Sequence, residues 1–308
     1  MNPSSKGDPH ESLKMNECRV ALISFESRFA RPVENLGRII QWVRTAAGEK
    51  ADLVCFPEVA LQGYCDDAGT IRRQAETLDG PMCAELTAVA GECGSVISLG
   101  MALRVDEDLL NAQVFVGARG VLGYAVKVHH GKDGHSCYSS GKTWPVIDLG
   151  FAKVGTLICW DAEFPEAARC LALGGAEVLL MSFASGRCDS SGRRQGPEEW
   201  AEQVLAWAPS RAYDNRVFVL GINHAGSVKD EDNACYPALG DAQGIHHWPG
   251  YSFSVGPDGQ LLAESSRDHN DERMLLVDLD PKLRERWRSG SGDFLANRHP
   301  ETYTRIIH

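Results

Sequence analysis

From Arg19 onward the chain alternates short apolar runs of strand type with amphipathic stretches of helical type, which restricts it to an α/β fold built on mixed sheet. Residues 19–25 (RVALISF) read as a buried strand. Over 33–47, Val33, Leu36, Ile40, Val43 and Ala47 share one helical face. A second strand spans 52–56 and stops at Pro57, and Gly80-Pro81 opens a helix that runs to about Cys93. Strands are expected at 96–103, 112–117 and 121–128, with Arg119-Gly120 as a hairpin turn, and again at 153–158. Then come a helix over 165–173 ended by Gly174-Gly175, a strand over 177–181, a helix over 200–215 bent at Pro209, and a strand over 217–222. Runs at 251–255, 259–263 and 274–278 complete the sheets, and Pro257-Asp258-Gly259 turns between the first two. With no linker, repeat or low-complexity tract, the expectation is one domain over residues 18–308, tail included, behind a polar, disordered leader at 1–17.

A chain of 308 residues, 43% of them hydrophobic, can bury a substantial core. Its formal net charge of -11 argues against nucleic acid or an anionic membrane as partner, since both require a basic patch. No apolar run approaches the roughly 20 residues that span a bilayer. The ten cysteines are irregularly spaced and form no CxxC pair. Without a secretory signal, that pattern fits reduced thiols in a soluble, cytoplasmic protein.

Three residues carry chemistry. Cys159 ends the apolar run 153–158 and is followed at once by a helix start, a turn that faces a thiol toward the positive end of a helix and lowers its pKa. Glu58 follows the strand over 52–56. Lys127 lies near the end of the strand over 121–128, where a buried ammonium is costly without a partner. All three stand at strand ends, where residues distant in sequence converge on a pocket. Taken alone, each has a plainer explanation: Cys159 as a small core residue, Glu58 as a helix-capping carboxylate, Lys127 as a snorkelling side chain. Glu166 and Arg169, three apart on the helix after Cys159, read as a structural ion pair. Within His129-His130 and His246-His247, adjacent strand residues point to opposite faces, so neither pair can hold one metal ion. A cysteine–histidine hydrolase with His224 as base would leave Glu58 and Lys127 unexplained.

Together these segments resemble the nitrilase superfamily of carbon–nitrogen hydrolases, which use Glu, Lys and Cys in this order. Asn111, the turn at Gly120, Tyr124, Lys127 and His129 resemble its lysine segment. Arg211-Ala212-Tyr213-Asp214-Asn215 with Asn223 resembles its later helix–strand unit, residues 252–259 its serine strand and turn, and residues 297–303 its tail. The resemblance implies an αββα sandwich, no metal or organic cofactor, and a homodimer or higher homo-oligomer formed through the helix after Cys159. It further implies that Cys159 attacks an amide-like carbon, that Glu58 acts as general base, and that Lys127 and the Trp160 amide hold the oxyanion. Tyr64, Phe183 and Ala184 join the expected substrate-binding set.

The chain departs from the family pattern twice. Where members carry a second glutamate after the lysine, anchoring on Tyr138 and Gly141 puts His135; Asp133 supplies the carboxylate if the loop is shifted. Glu163 stands where amidases often carry tryptophan or arginine, and it either selects a cationic or hydrogen-bond-donating substrate or is a solvated helix-cap acid. Cys-Trp-Asp followed by Phe-Pro-Glu resembles the aliphatic amide and N-carbamoyl hydrolases, whereas true nitrilases more often carry Cys-Trp-Glu. An amide or N-carbamoyl substrate is therefore expected. The alternatives are a nitrile substrate and a non-catalytic member acting as a binding protein.

Overall fold

Strand–helix alternation turns into two layers of sheet. The computed structural model describes residues 15–64, 67–130, 137–186, 196–229, 245–288 and 290–306. In chain order it contains β1 (Cys18–Ser24), α1 (Pro32–Gly48), β2 (Leu53–Cys55), α2 (Ala68–Gln74), α3 (Pro81–Cys93), β3 (Val96–Val105), β4 (Asp108–Gly117) and β5 (Gly120–Val126). It continues with β6 (Val146–Asp148), β7 (Lys153–Ile158), α4 (Pro165–Leu173), β8 (Val178–Ser182), α5 (Pro197–Leu205), α6 (Ala208–Asn215) and β9 (Phe218–Ile222). Last come β10 (Ser227–Lys229), β11 (Ile245–His247), β12 (Phe253–Val255), β13 (Leu261–Glu264), β14 (Arg273–Leu279) and α7 (Pro281–Trp287).

One six-stranded sheet has the order β14-β1-β2-β3-β4-β5, and the other β13-β12-β9-β8-β7-β6. Read from β14 and from β6 respectively, both follow the same pairing: antiparallel, parallel, parallel, antiparallel, antiparallel. A duplication invisible as a sequence repeat is thus present as topology, and it puts β2 opposite β8 in role.

Side-chain alternation builds the layers. Along β1, Val20 and Leu22 point between the sheets, where they join Leu53, Phe115, Val178, Leu180, Phe218 and Leu220. Ala21 and Ile23 point outward to Ile39 and Val43 of α1 and Leu86 of α3. On the other side, Leu179 and Val219 meet Leu171, Trp200, Val204 and Ala212 of α4, α5 and α6. The result is the αββα sandwich. Met15, inside the stretch read as leader, is buried in the inter-sheet core, and the Asn16 amide donates to the Phe151 carbonyl at 2.8 Å. Among the described residues no helix is long and apolar enough to cross a membrane.

Sequence and structure differ in informative places. The buried stripe of α1 is centred on Ile39 and Val43, so Val33, about 90° round the helix, is 76% exposed. The helix expected over 200–215 is two helices, because Pro209 takes a place in the first turn of α6, where a missing N–H costs nothing. Short elements such as α2, β6 and α7 carry too few residues for periodicity to reveal.

The turn after β2 rests on β3. Leu61 N donates to Gly100 O at 3.1 Å, and a Cβ on Gly100 would overlap the Pro57 carbonyl oxygen and stand 2.5 Å from the Val59 amide nitrogen. Gly100→Ala should therefore cost about 1–3 kcal/mol of overpacking, read from the urea unfolding midpoint; an unchanged midpoint would contradict so close an approach.

Candidate active site

Cys159 leaves the end of β7 with φ +52°, a left-handed conformation unusual for a residue with a side chain. It begins a five-residue 3₁₀ turn, Cys159–Glu163, and α4 starts only at Pro165. On the other sheet Glu58 follows β2, and the β-branched Val59 beside it is likewise left-handed at φ +49°. Such backbone persists only where its surroundings hold it. Lys127 immediately follows β5, its amide donating to the Asn111 carbonyl at 2.9 Å.

These ends meet at one carboxylate. Glu58 Oε1 accepts from Lys127 Nζ at 2.6 Å and from Asn111 Nδ2 at 2.7 Å, and Oε2 accepts from the Ala184 amide at 2.9 Å. Glu58 is wholly buried and Lys127 nearly so. Glu58, Lys127 and the Ala184 amide all bear electrostatically on the Cys159 thiol.

Electrostatics here overturn one expectation. The Cys159 thiol is not made acidic by a helix; it is pushed up to about 12. Burial is the largest cause, Lys127 opposes it, and the charge and hydrogen bond of Glu58 add to it. A short 3₁₀ turn offers little dipole, and loss of water dominates. Burial alone would discharge Lys127, yet the charge and hydrogen bond of Glu58, with Asp161 behind it, carry it above the ordinary lysine range. The site thus pairs a protonated thiol with an acceptor carboxylate and a fixed cation.

A second set of groups fastens the pieces together. The buried Asp161 carboxylate accepts from the amides of His129 (2.8 Å) and Val128 (3.2 Å), which continue from Lys127, and from Ile158 N at 3.4 Å. His129 Nδ1 also lies 2.8 Å from Asp161, and its ring stacks on Phe164 at 3.7 Å. Arg211 donates to the Ala162 and Glu163 carbonyls at 3.2 and 2.8 Å, closing the end of the Cys159–Glu163 turn. Asn223 and His224, just past β9, reach the Ser185 and Glu58 main chains.

The expected site residues divide. Ala184 contributes its amide to Glu58, and half-buried Trp160 is the second residue of the 3₁₀ turn, where amides lack intrahelical acceptors. Tyr64 packs edge-on to Trp248 at 6.3 Å. Phe183 turns away into the core between Trp200 and Trp207, so its ring is structural. Glu163 sits at the far end of the turn, where its main-chain carbonyl accepts from Arg211. His135 and Asp133 lie outside the described residues. Glu166 and Arg169 do not form the expected ion pair; Arg169 faces Arg298, Asp214 and Tyr303. His224 is not poised as a base for Cys159, since both its ring nitrogens are engaged elsewhere. The sequence reading missed Asp161, Arg211 and His224 as supports. For Asp161 the signal was a buried acid two residues from the thiol.

Comparison with known proteins places these features in context. The family model for carbon–nitrogen hydrolases matches residues 19–289. A hydrolase encoded in the pqqF 5' region of Pseudomonas protegens is 31% identical over 92% of this chain and 90% of its own length. An (R)-stereoselective amidase from a Pseudomonas species is 29% identical over 85% of each chain. A solved carbon–nitrogen hydrolase from Helicobacter pylori superposes with a TM-score of 0.76 at 23% identity, over 95% of this chain and 99% of its own.

Burial of the thiols also sets an alkaline limit. Cys159 and Cys18 are pushed up to about 12 and Cys83 to about 11 from an ordinary 9.0, each chiefly by burial. The folded chain keeps protons that the unfolded chain releases above pH 9.0, so this contribution is complete below that pH and is lost as pH rises toward 12. Urea midpoints measured at about pH 8 and about pH 10.5 should fall between the two, less steeply in Cys159→Ala; equal slopes in the two proteins would refute a strongly raised Cys159.

Proposed function

We propose that this chain, which belongs to the carbon–nitrogen hydrolase family, cleaves a small aliphatic amide or N-carbamoyl compound through a thioester on Cys159. The observation that carries this is the shared position of Glu58, bound by the Lys127 ammonium on one oxygen and bearing on the half-buried Cys159 thiol. A thiol held near 12 is a weak nucleophile unaided and needs a base in contact with it.

In the first half-reaction Glu58 takes the thiol proton as sulfur adds to the amide carbon. The carbonyl oxygen becomes an oxyanion facing the Lys127 ammonium and the Trp160 amide; losing one such contact typically costs on the order of 3–4 kcal/mol of barrier. Collapse breaks the C–N bond, and the proton on Glu58 passes to the departing nitrogen. Glu58 then takes a proton from water as its oxygen adds to the thioester carbon. The C–S bond breaks, sulfur recovers a proton, and the acid is released.

The amide reading is supported by the family, by likeness to a named amidase, and by Asp161 following Cys-Trp, where its carboxylate fastens the lysine segment. Ammonia release should be detected in a screen of amides, N-carbamoyl amino compounds and nitriles, with an amide or N-carbamoyl compound the best substrate. Cys159→Ala should abolish release, and Glu58→Gln should lower kcat at least about 10²-fold. Intact-mass measurement during turnover of a slow substrate should show one acyl group, absent in Cys159→Ala. Preferred nitrile turnover would overturn the substrate class, and an acyl group on another residue would overturn the assignment of the nucleophile.

A further inference from the structure

We propose that His224 is a positioning residue: its Nε2–H holds the Glu58 main chain, and so aims the general base at Cys159. The proposal rests on the reading of Glu58 given above.

His224 belongs to the second sheet's side of the molecule, following β9, yet its Nε2 lies 2.6 Å from the carbonyl oxygen of Glu58 in the first. A carbonyl oxygen only accepts, so Nε2 must carry the proton. Nδ1 stands 3.0 Å from Ser27 Oγ, which can donate to it, and the Phe25 carbonyl also faces the ring. Burial pushes the imidazole below its ordinary range, in keeping with a neutral ring. The residue is clamped on every side. Its amide donates to Asn223 Oδ1 at 2.8 Å, its carbonyl accepts from Gly250 N at 2.8 Å, and the Trp248 ring covers it at 5.1 Å.

The bond matters because of where it lands. The Glu58 carbonyl belongs to the peptide leading into left-handed Val59, a conformation disfavoured for a β-branched side chain. On the opposite side, Gly100 leaves that turn no room to relax. Neighbouring Asn223 grips Ser185 through both its amide and its carbonyl, beside the Ala184 amide that donates to Glu58 Oε2. The Asn223-His224 pair therefore sets both the main chain and one carboxylate oxygen of the base. A misplacement of about 1 Å at a reacting group can cost on the order of 10²-fold in rate.

The test compares His224→Leu, which removes the donor, with His224→Gln, whose side-chain amide can restore one at the Nε2 position. His224→Leu should lower kcat about 10²-fold with KM little changed, and should slow alkylation of Cys159 by iodoacetamide in parallel. His224→Gln should recover at least about tenfold of both losses. Wild-type kcat in His224→Leu, equal damage in both variants, or a loss confined to KM would overturn the proposal. Should His224→Leu fail to fold, nitrogen-15 NMR of the wild-type ring decides: Nε2 protonated is expected, and a tautomer protonated only at Nδ1 overturns it. Because alkylation and NMR need no substrate, absence of turnover in every variant would sink the proposed reaction while leaving this inference separately tested.

Discussion

The buried Glu58–Lys127 ion pair is the constraint around which this molecule is arranged. Two charges removed from water are tolerated only when geometry is close and remaining hydrogen-bonding capacity is met. Here a 2.6 Å contact is joined by Asn111 and the Ala184 amide, so both carboxylate oxygens are satisfied. These partners come from β4 and from just past the ends of β2, β5 and β8, which ties the two sheets together at one point. Loss of water raises the thiol, whereas the lysine stays charged against that same loss because Glu58 is bound to it.

Around that pair the fold spends local strain. Cys159 and Val59 both occupy left-handed backbone, one at the end of each sheet's central strands. Asp161 binds the lysine segment to the Cys159 turn, Arg211 closes the far end of that turn, and His224 crosses between sheets to the Glu58 main chain. The matched topology of the two sheets explains why such different roles share a setting: β2 and β8 end at equivalent places, one presenting the Glu58 side chain and the other the Ala184 amide.

Much of this was legible in the residues. Hydrophobic periodicity located α3, α4, β7 and most long strands to within a residue or two, because each has a continuous pattern and a proline or glycine boundary. Glu58, Lys127 and Cys159 stood out because each is the wrong residue type for its place at a strand end. Three-residue β6 has no pattern of its own and exists through pairing with β7. Phe183 illustrates a subtler gap: its position after β8 was clear, but whether its ring faced the pocket or Trp200 depended on helices many residues away.

Residue types and their order therefore determined the α/β class, the order of the principal elements and the choice of Glu58, Lys127 and Cys159 as candidate reacting groups, because those follow from local periodicity and from side-chain chemistry. The protonation state of Cys159 and the supports for Glu58 were decided only by tertiary structure. A local argument predicts an acidic thiol at a helix start, whereas the folded chain partly shields it from water and pushes it up to about 12. Desolvation and hydrogen bonds between groups as far apart as Glu58 and His224 arise from packing, and no stretch of sequence contains them.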